Sequence, residues 1–137
     1  MLKRRAQKDD TEELSTSVIQ HALKYFNIVS FNLSGVNAES VPSLLAHLKL
    51  ETNFQVMLLQ EVSNHVEMQV IQTSCATVWI FPGHSSSSRS NAIAISYEWA
   101  PQFLFADWNV FAGVVVLDFG EHALVCFSAH LPYDGHR

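Results

Sequence analysis

NFQVMLLQEV, the stretch from Asn53 to Val62, sets four consecutive apolar residues, Val56, Met57, Leu58 and Leu59, directly against Gln60 and Glu61. An apolar run this short and without alternation is the pattern of a strand buried on both faces, a pattern that a buried helical turn shares. Glu61 then stands at the rim of a core. Removing a carboxylate from water costs on the order of several kcal/mol unless a cation or hydrogen-bond donors meet it, so the position asks for a partner. A divalent metal ion is one such partner.

Two other strands change character in the same way. FNIVSFNL, Phe26 to Leu33, sets Ile28, Ser30 and Asn32 on one face, with Asn32 at the far end before a Ser34-Gly35 turn. LVCFSAHL, Leu124 to Leu131, stays apolar and small until His130, and Pro132 stops it. Three apolar strands are thus expected to end in Asn32, Glu61 and His130. In layered α/β folds the carboxyl ends of strands are where side chains converge on a ligand.

Between the first two strands, a loop from Ser34 to Glu39 leads to SVPSLLAHLKL, Ser40 to Leu50. Ser40 suits an N-cap, Pro42 the first turn, and Val41, Leu44, Leu45 and Leu48 one apolar face. The resulting strand-helix-strand unit pairs its strands in parallel through a right-handed crossover. His47 falls near the polar side of that helix, as a surface residue. Downstream, Asn64 to Gln72 reads as a short helix, Ala76 to Phe81 as a strand, and Pro82 to Ser90 as a loop holding His84 and Arg89 among four serines. That loop is a polar connector or a donor-rich contact for phosphate. Strands are expected over Asn91 to Tyr97, Phe103 to Trp108 and Phe111 to Phe119, the last joined through Gly120-Glu121 to an antiparallel Ala123 to His130.

The 137 residues have the length of one domain, and 48% hydrophobic with 15% charged content is that of a globular chain. Residues 1–24 form a charged extension, helical from Thr11, and residues 25–137 the folded body. No apolar run approaches a membrane span, and the basic N-terminus is followed by no apolar stretch, so an intracellular protein without a membrane partner is expected. Cys75 and Cys126 lack any paired spacing and read as free thiols. Of eight basic residues, Lys3, Arg4, Arg5, Lys8 and Lys24 precede Tyr25, leaving Lys49, Arg89 and Arg137 against nine of the thirteen acidic residues. The body is acidic, without the basic stripe that duplex binding calls for.

FNIVSFNLSGVN, VMLLQEV and LVCFSAHLP, in this order and with the SNAIAIS strand between the last two, resemble the first three motifs of the endonuclease/exonuclease/phosphatase superfamily, the metal-dependent phosphoesterases related to DNase I. The resemblance spans Tyr25 to Asp134. It implies an α/β fold with mixed sheets, a four-layer α/β/β/α sandwich, here incomplete because the family's Asp-x-Asn turn and terminal Asp-His pair do not follow His130-Leu131. It implies hydrolysis of a phosphodiester or phosphomonoester, with Glu61 as metal ligand for Mg²⁺ or Mn²⁺ and Asn32 and His130 as catalytic residues. The substrate is then a phosphate ester, nucleic acid being one candidate.

The residues themselves are compatible with those roles. Mg²⁺ takes oxygen ligands and keeps several waters, so a single rim carboxylate serves as part of a site. An asparagine amide both donates and accepts, which suits orienting Glu61 or a phosphate oxygen, while an Asn near a Gly equally forms turns. A histidine titrates near neutrality and protonates a leaving alkoxide; Asp134 stands four residues on to orient it. No water-activating base is visible, so the 137 residues are expected to be inactive alone. The alternative is a non-catalytic fragment or interaction module, and strands apolar on both faces late in the chain predict uncovered apolar surface and self-association.

Overall fold

The computed structural model describes residues 26–63, 67–83, 89–109 and 111–129. Among these residues eight strands and one α-helix follow one another as β1 (Ile28–Asn37), α1 (Val41–Thr52), β2 (Val56–Ser63), β3 (Gln69–Gln72), β4 (Ala76–Ile80), β5 (Arg89–Ser96), β6 (Phe103–Trp108), β7 (Ala112–Asp118) and β8 (Ala123–Ala129). They form a five-stranded sheet of order β1-β2-β5-β4-β3 and a three-stranded sheet of order β6-β7-β8. The first is mixed: β1 and β2 are parallel, while β2–β5, β5–β4 and β4–β3 are antiparallel. The second is antiparallel throughout.

α1 forms where its apolar spacing places it. Val41, Leu45 and Leu48 are buried against the first sheet, and Leu44 packs beside them. Ser40 precedes the helix without a side-chain capping bond. At the other end Asn53 adopts the left-handed conformation (φ 49°) and its N–H donates to Lys49 O at 2.9 Å, the usual way of stopping a helix without glycine. His47 is exposed and 3.0 Å from Glu51.

The central strands of the first sheet, β2, β5 and β4, are covered on both faces. Met57, Leu59, Val62, Val78, Ile80, Ala92 and Ala94 pack against α1, whereas Val56, Trp79, Ile93 and Ile95 face Val115, Leu117 and Cys126 of the second sheet. The layers are therefore helix, sheet, sheet. On β8 the parity is plain: Cys126 and Ser128 are buried, while Val125 and Phe127, one face over, are 60% and 57% exposed. Two of the valines beside them are better covered: Val116 is buried and Val114 half-buried.

Several expectations need correction. Gln69–Gln72 is a strand paired with Thr77–Ile80, not part of a helix; a four-residue edge strand with only Ile71 packed on the core leaves too little pattern to tell from a helical turn. Ser34 and Gly35 do not end β1. They take positive φ (53° and 90°) as a bulge, after which pairing resumes at Val36 with Val62 and Asn37 with Ser63. Likewise β2 continues beyond Glu61 to Ser63, so Asn32 and Glu61 lie within strands. Arg89 and Ser90 belong to β5, paired with Ser63 and Val62, and not to the preceding loop.

Candidate active site

Glu61 owes its position to an interruption in the sheet. β2 pairs with β5 as Leu59 with Ala92 and then Val62 with Ser90, so Gln60 and Glu61 together oppose the single residue Asn91. This is a β-bulge, which adds one residue and resets the alternation of faces. Met57 and Leu59 point to the helix side, and so does Val62; without the extra residue, strict alternation would send Glu61 into that apolar layer in place of Val62. The bulge is made by Glu61 itself, at φ 59°. A non-glycine residue in the left-handed region costs on the order of 1–3 kcal/mol and persists where its surroundings over-determine it, a circumstance concentrated at functional sites.

The partner that the carboxylate requires is present. Arg89 Nη1 donates to Glu61 Oε1, and the Glu61 side chain is only 14% exposed against 46% for Arg89. No local pattern marks this pairing, because Arg89 lies among serines 28 residues away and becomes a neighbour only through the β2–β5 register. Asn32 pairs with Gln60 across β1 and β2. Its Oδ1 accepts the Ser34 N–H at 2.8 Å, so its carbonyl oxygen shapes the β1 bulge beside the site.

Gln60, half of the Gln-Glu pair, turns out to connect the two sheets. Its Nε2 donates to Ser128 Oγ at 3.2 Å and to Leu58 O at 3.2 Å, and its Oε1 accepts from Ser30 Oγ at 3.3 Å. Ser128, nearly fully buried on β8, donates in turn to Leu59 O at 3.0 Å. A polar side chain between two apolar sheets is tolerated only when so satisfied. The available signal was Ser128 at an inward parity among apolar residues of β8. Asn91, opposite the bulge, donates through Nδ2 to Phe111 O at 3.1 Å, while its buried Oδ1 has no partner among the described residues.

His130 and Asp134, and the serine-rich segment with His84, lie outside the described residues. An Asp-x-Asn sequence does occur at Asp107-Trp108-Asn109, ahead of β8 rather than after it. Its side chains serve the β6–β7 connection: Asn109 Oδ1 accepts from Phe111 N at 2.8 Å and Ala112 N at 2.9 Å. Among the described residues no three His, Cys, Asp or Glu side chains gather as a metal-binding group. The donor chemistry at Glu61 is one carboxylate within β2 that Arg89 already meets; a hard cation that keeps most of its water could take it as a single oxygen ligand. Of the described residues, Glu61 is the one that would hold it. No helix among them is long and apolar enough to cross a membrane. Set beside known proteins, the sequence matches no family model and no curated protein sequence.

Proposed function

We propose that the chain carries residues of a metal-dependent phosphoesterase site of the endonuclease/exonuclease/phosphatase type, acting on a phosphodiester or phosphomonoester. The observation that supports it most is Glu61: a carboxylate lifted out of the helix-side core by a bulge that it forms itself in a strained conformation. A bound Mg²⁺ or Mn²⁺ supplies a Lewis acid that neutralises charge developing on the phosphoryl group. Glu61 would hold that ion, and Asn32, one strand over, would orient a phosphate oxygen through its amide N–H. His130, two residues beyond Ser128, would protonate the leaving oxygen. The same reading carries a fourth, helical layer over the second sheet, an idea supported by the exposed Val125 and Phe127.

Calorimetry with Mg²⁺ on the wild type and on Glu61→Gln tests the assignment. Weak binding lost in the variant is expected, since one carboxylate supplies little charge for a tight site; equal binding by both proteins removes Glu61 from the site. Mg²⁺-dependent hydrolysis of a phosphate ester by the wild type and His130→Ala tests the catalytic part: residues that act as one set lose orders of magnitude together, so turnover unchanged in His130→Ala removes His130 from the site.

A second reading is a non-catalytic interaction module on the same fold. It is favoured by the Glu61–Arg89 pair, which already neutralises the carboxylate, and by the exposed apolar face of β8.

A further inference from the structure

Arg89 opens β5 and donates to Glu61. Its guanidinium also lies over Gly35 in the bulge of β1: a Cβ built on Gly35 would stand 3.4 Å from Nη2 and 3.6 Å from Cζ and Nε, at van der Waals contact. The two bulges thus meet at one place, one supplying the carboxylate and the other the floor beneath the guanidinium. Exposure divides unequally between the partners, with the carboxylate held inside and almost half of the arginine side chain in solvent.

A guanidinium keeps its charge at every accessible pH, and its planar fork of N–H donors matches carboxylate and phosphate oxygens alike. It moves from one to the other without any proton transfer. A divalent cation on Glu61 would meet Arg89 as a like charge a few ångströms away, whereas a phosphate brings the negative charge that accommodates both. Building on the phosphoesterase reading, we infer that Arg89 is a resident counter-ion that competes with the divalent cation for Glu61 and passes to the phosphate group of the substrate when both bind. Cation and phosphate then bind cooperatively, and by linkage each tightens the other by the same factor.

The test is Mn²⁺ binding by the full chain, read from the free-ion electron paramagnetic resonance signal, with and without inorganic phosphate. Arg89→Gln is expected to bind Mn²⁺ about fivefold tighter than the wild type, the scale of a half-exposed ion pair. Phosphate should strengthen Mn²⁺ binding in the wild type and leave Arg89→Gln unchanged. Arg89→Lys, which keeps the charge without the fork, should retain the competition and lose most of the phosphate enhancement, which separates this role from a merely structural one. Equal Mn²⁺ affinity in the wild type and Arg89→Gln, lost in both on adding Glu61→Gln, overturns the competition and leaves the metal assignment standing. Mn²⁺ binding indifferent to Glu61→Gln, or absent from all five proteins, removes the metal assignment and the inference with it.

Discussion

Gly113 on β7 faces Phe81, and the contact leaves no room for a side chain. A Cβ built on Gly113 would lie 2.0 Å from Phe81 Cδ2, 2.2 Å from Cε2 and 2.6 Å from Cγ, where carbon atoms at rest stand about 3.5–4.0 Å apart. Phe81 is 1% exposed and its ring is tilted against Trp108 at 6.3 Å, so it cannot swing away freely. In Gly113→Ala the ring must leave its rotamer or the sheets must part. Overpacking typically costs about 1–3 kcal/mol, and an overlap of this depth into a buried ring belongs at the upper end, about 3 kcal/mol. For a domain of this size that lowers the melting temperature by roughly 10 °C. The assay is urea or thermal unfolding of Gly113→Ala, Phe81→Leu and the double variant. Phe81→Leu alone is expected to cost about 1–2 kcal/mol in lost burial, while in the double variant the trimmed side chain admits the methyl group. The cycle should therefore show a favourable coupling of about 2 kcal/mol. Gly113→Ala within about 0.5 kcal/mol of the wild type would refute the reasoning, because the ring would then not lie over Gly113. The contact also bears on the site, since the same inter-sheet spacing lets Gln60 reach Ser128.

Purified protein is expected to bind a hydrophobic dye or to self-associate through Val125 and Phe127; Val125→Lys with Phe127→Ser should abolish the signal, and a monomer that binds no dye would show the face to be covered. At Glu61, with φ 59°, asparagine tolerates the left-handed region and a β-branched residue does not. Unfolding should therefore find Glu61→Asn about as stable as the wild type and Glu61→Val lower than Glu61→Asn by about 1–2 kcal/mol; no difference between the two variants would remove the strain argument. Burial pushes the Cys126 thiol up to about 11 from 9.0. Its contribution is complete below pH 9, where both states hold the proton, and is lost as pH rises from 9 towards 11 and only the unfolded state ionises, at up to about 1.4 kcal/mol per pH unit. The alkaline fall in stability should be shallower by that amount in Cys126→Ala, and identical slopes would mean that the thiol is not buried.

Much of the architecture was legible because it is local. The apolar face of α1, the run Val56 to Leu59 and the Gly120-Glu121 turn each carry their signal within a few residues, so the parallel β1–β2 unit and the β7–β8 hairpin follow from periodicity and turn chemistry alone. Glu61 was marked by the same means, as a charge abutting an apolar run. What the chain order hides are the places where register, not pattern, decides. Two residues of β2 oppose one of β5, and that count alone keeps Glu61 out of the helix-side core and brings Arg89 to it. The Ser34-Gly35 pair favours positive φ whether it ends a strand or bulges it, and only the resumption of pairing at Val36 distinguishes the two. Gln60 and Ser128, 68 residues apart, meet because two sheets stack face to face. Side-chain periodicity is a property of one segment, but a bulge or an inter-sheet hydrogen bond is a relation between segments, and its energy exists only once the packing that brings them together has formed.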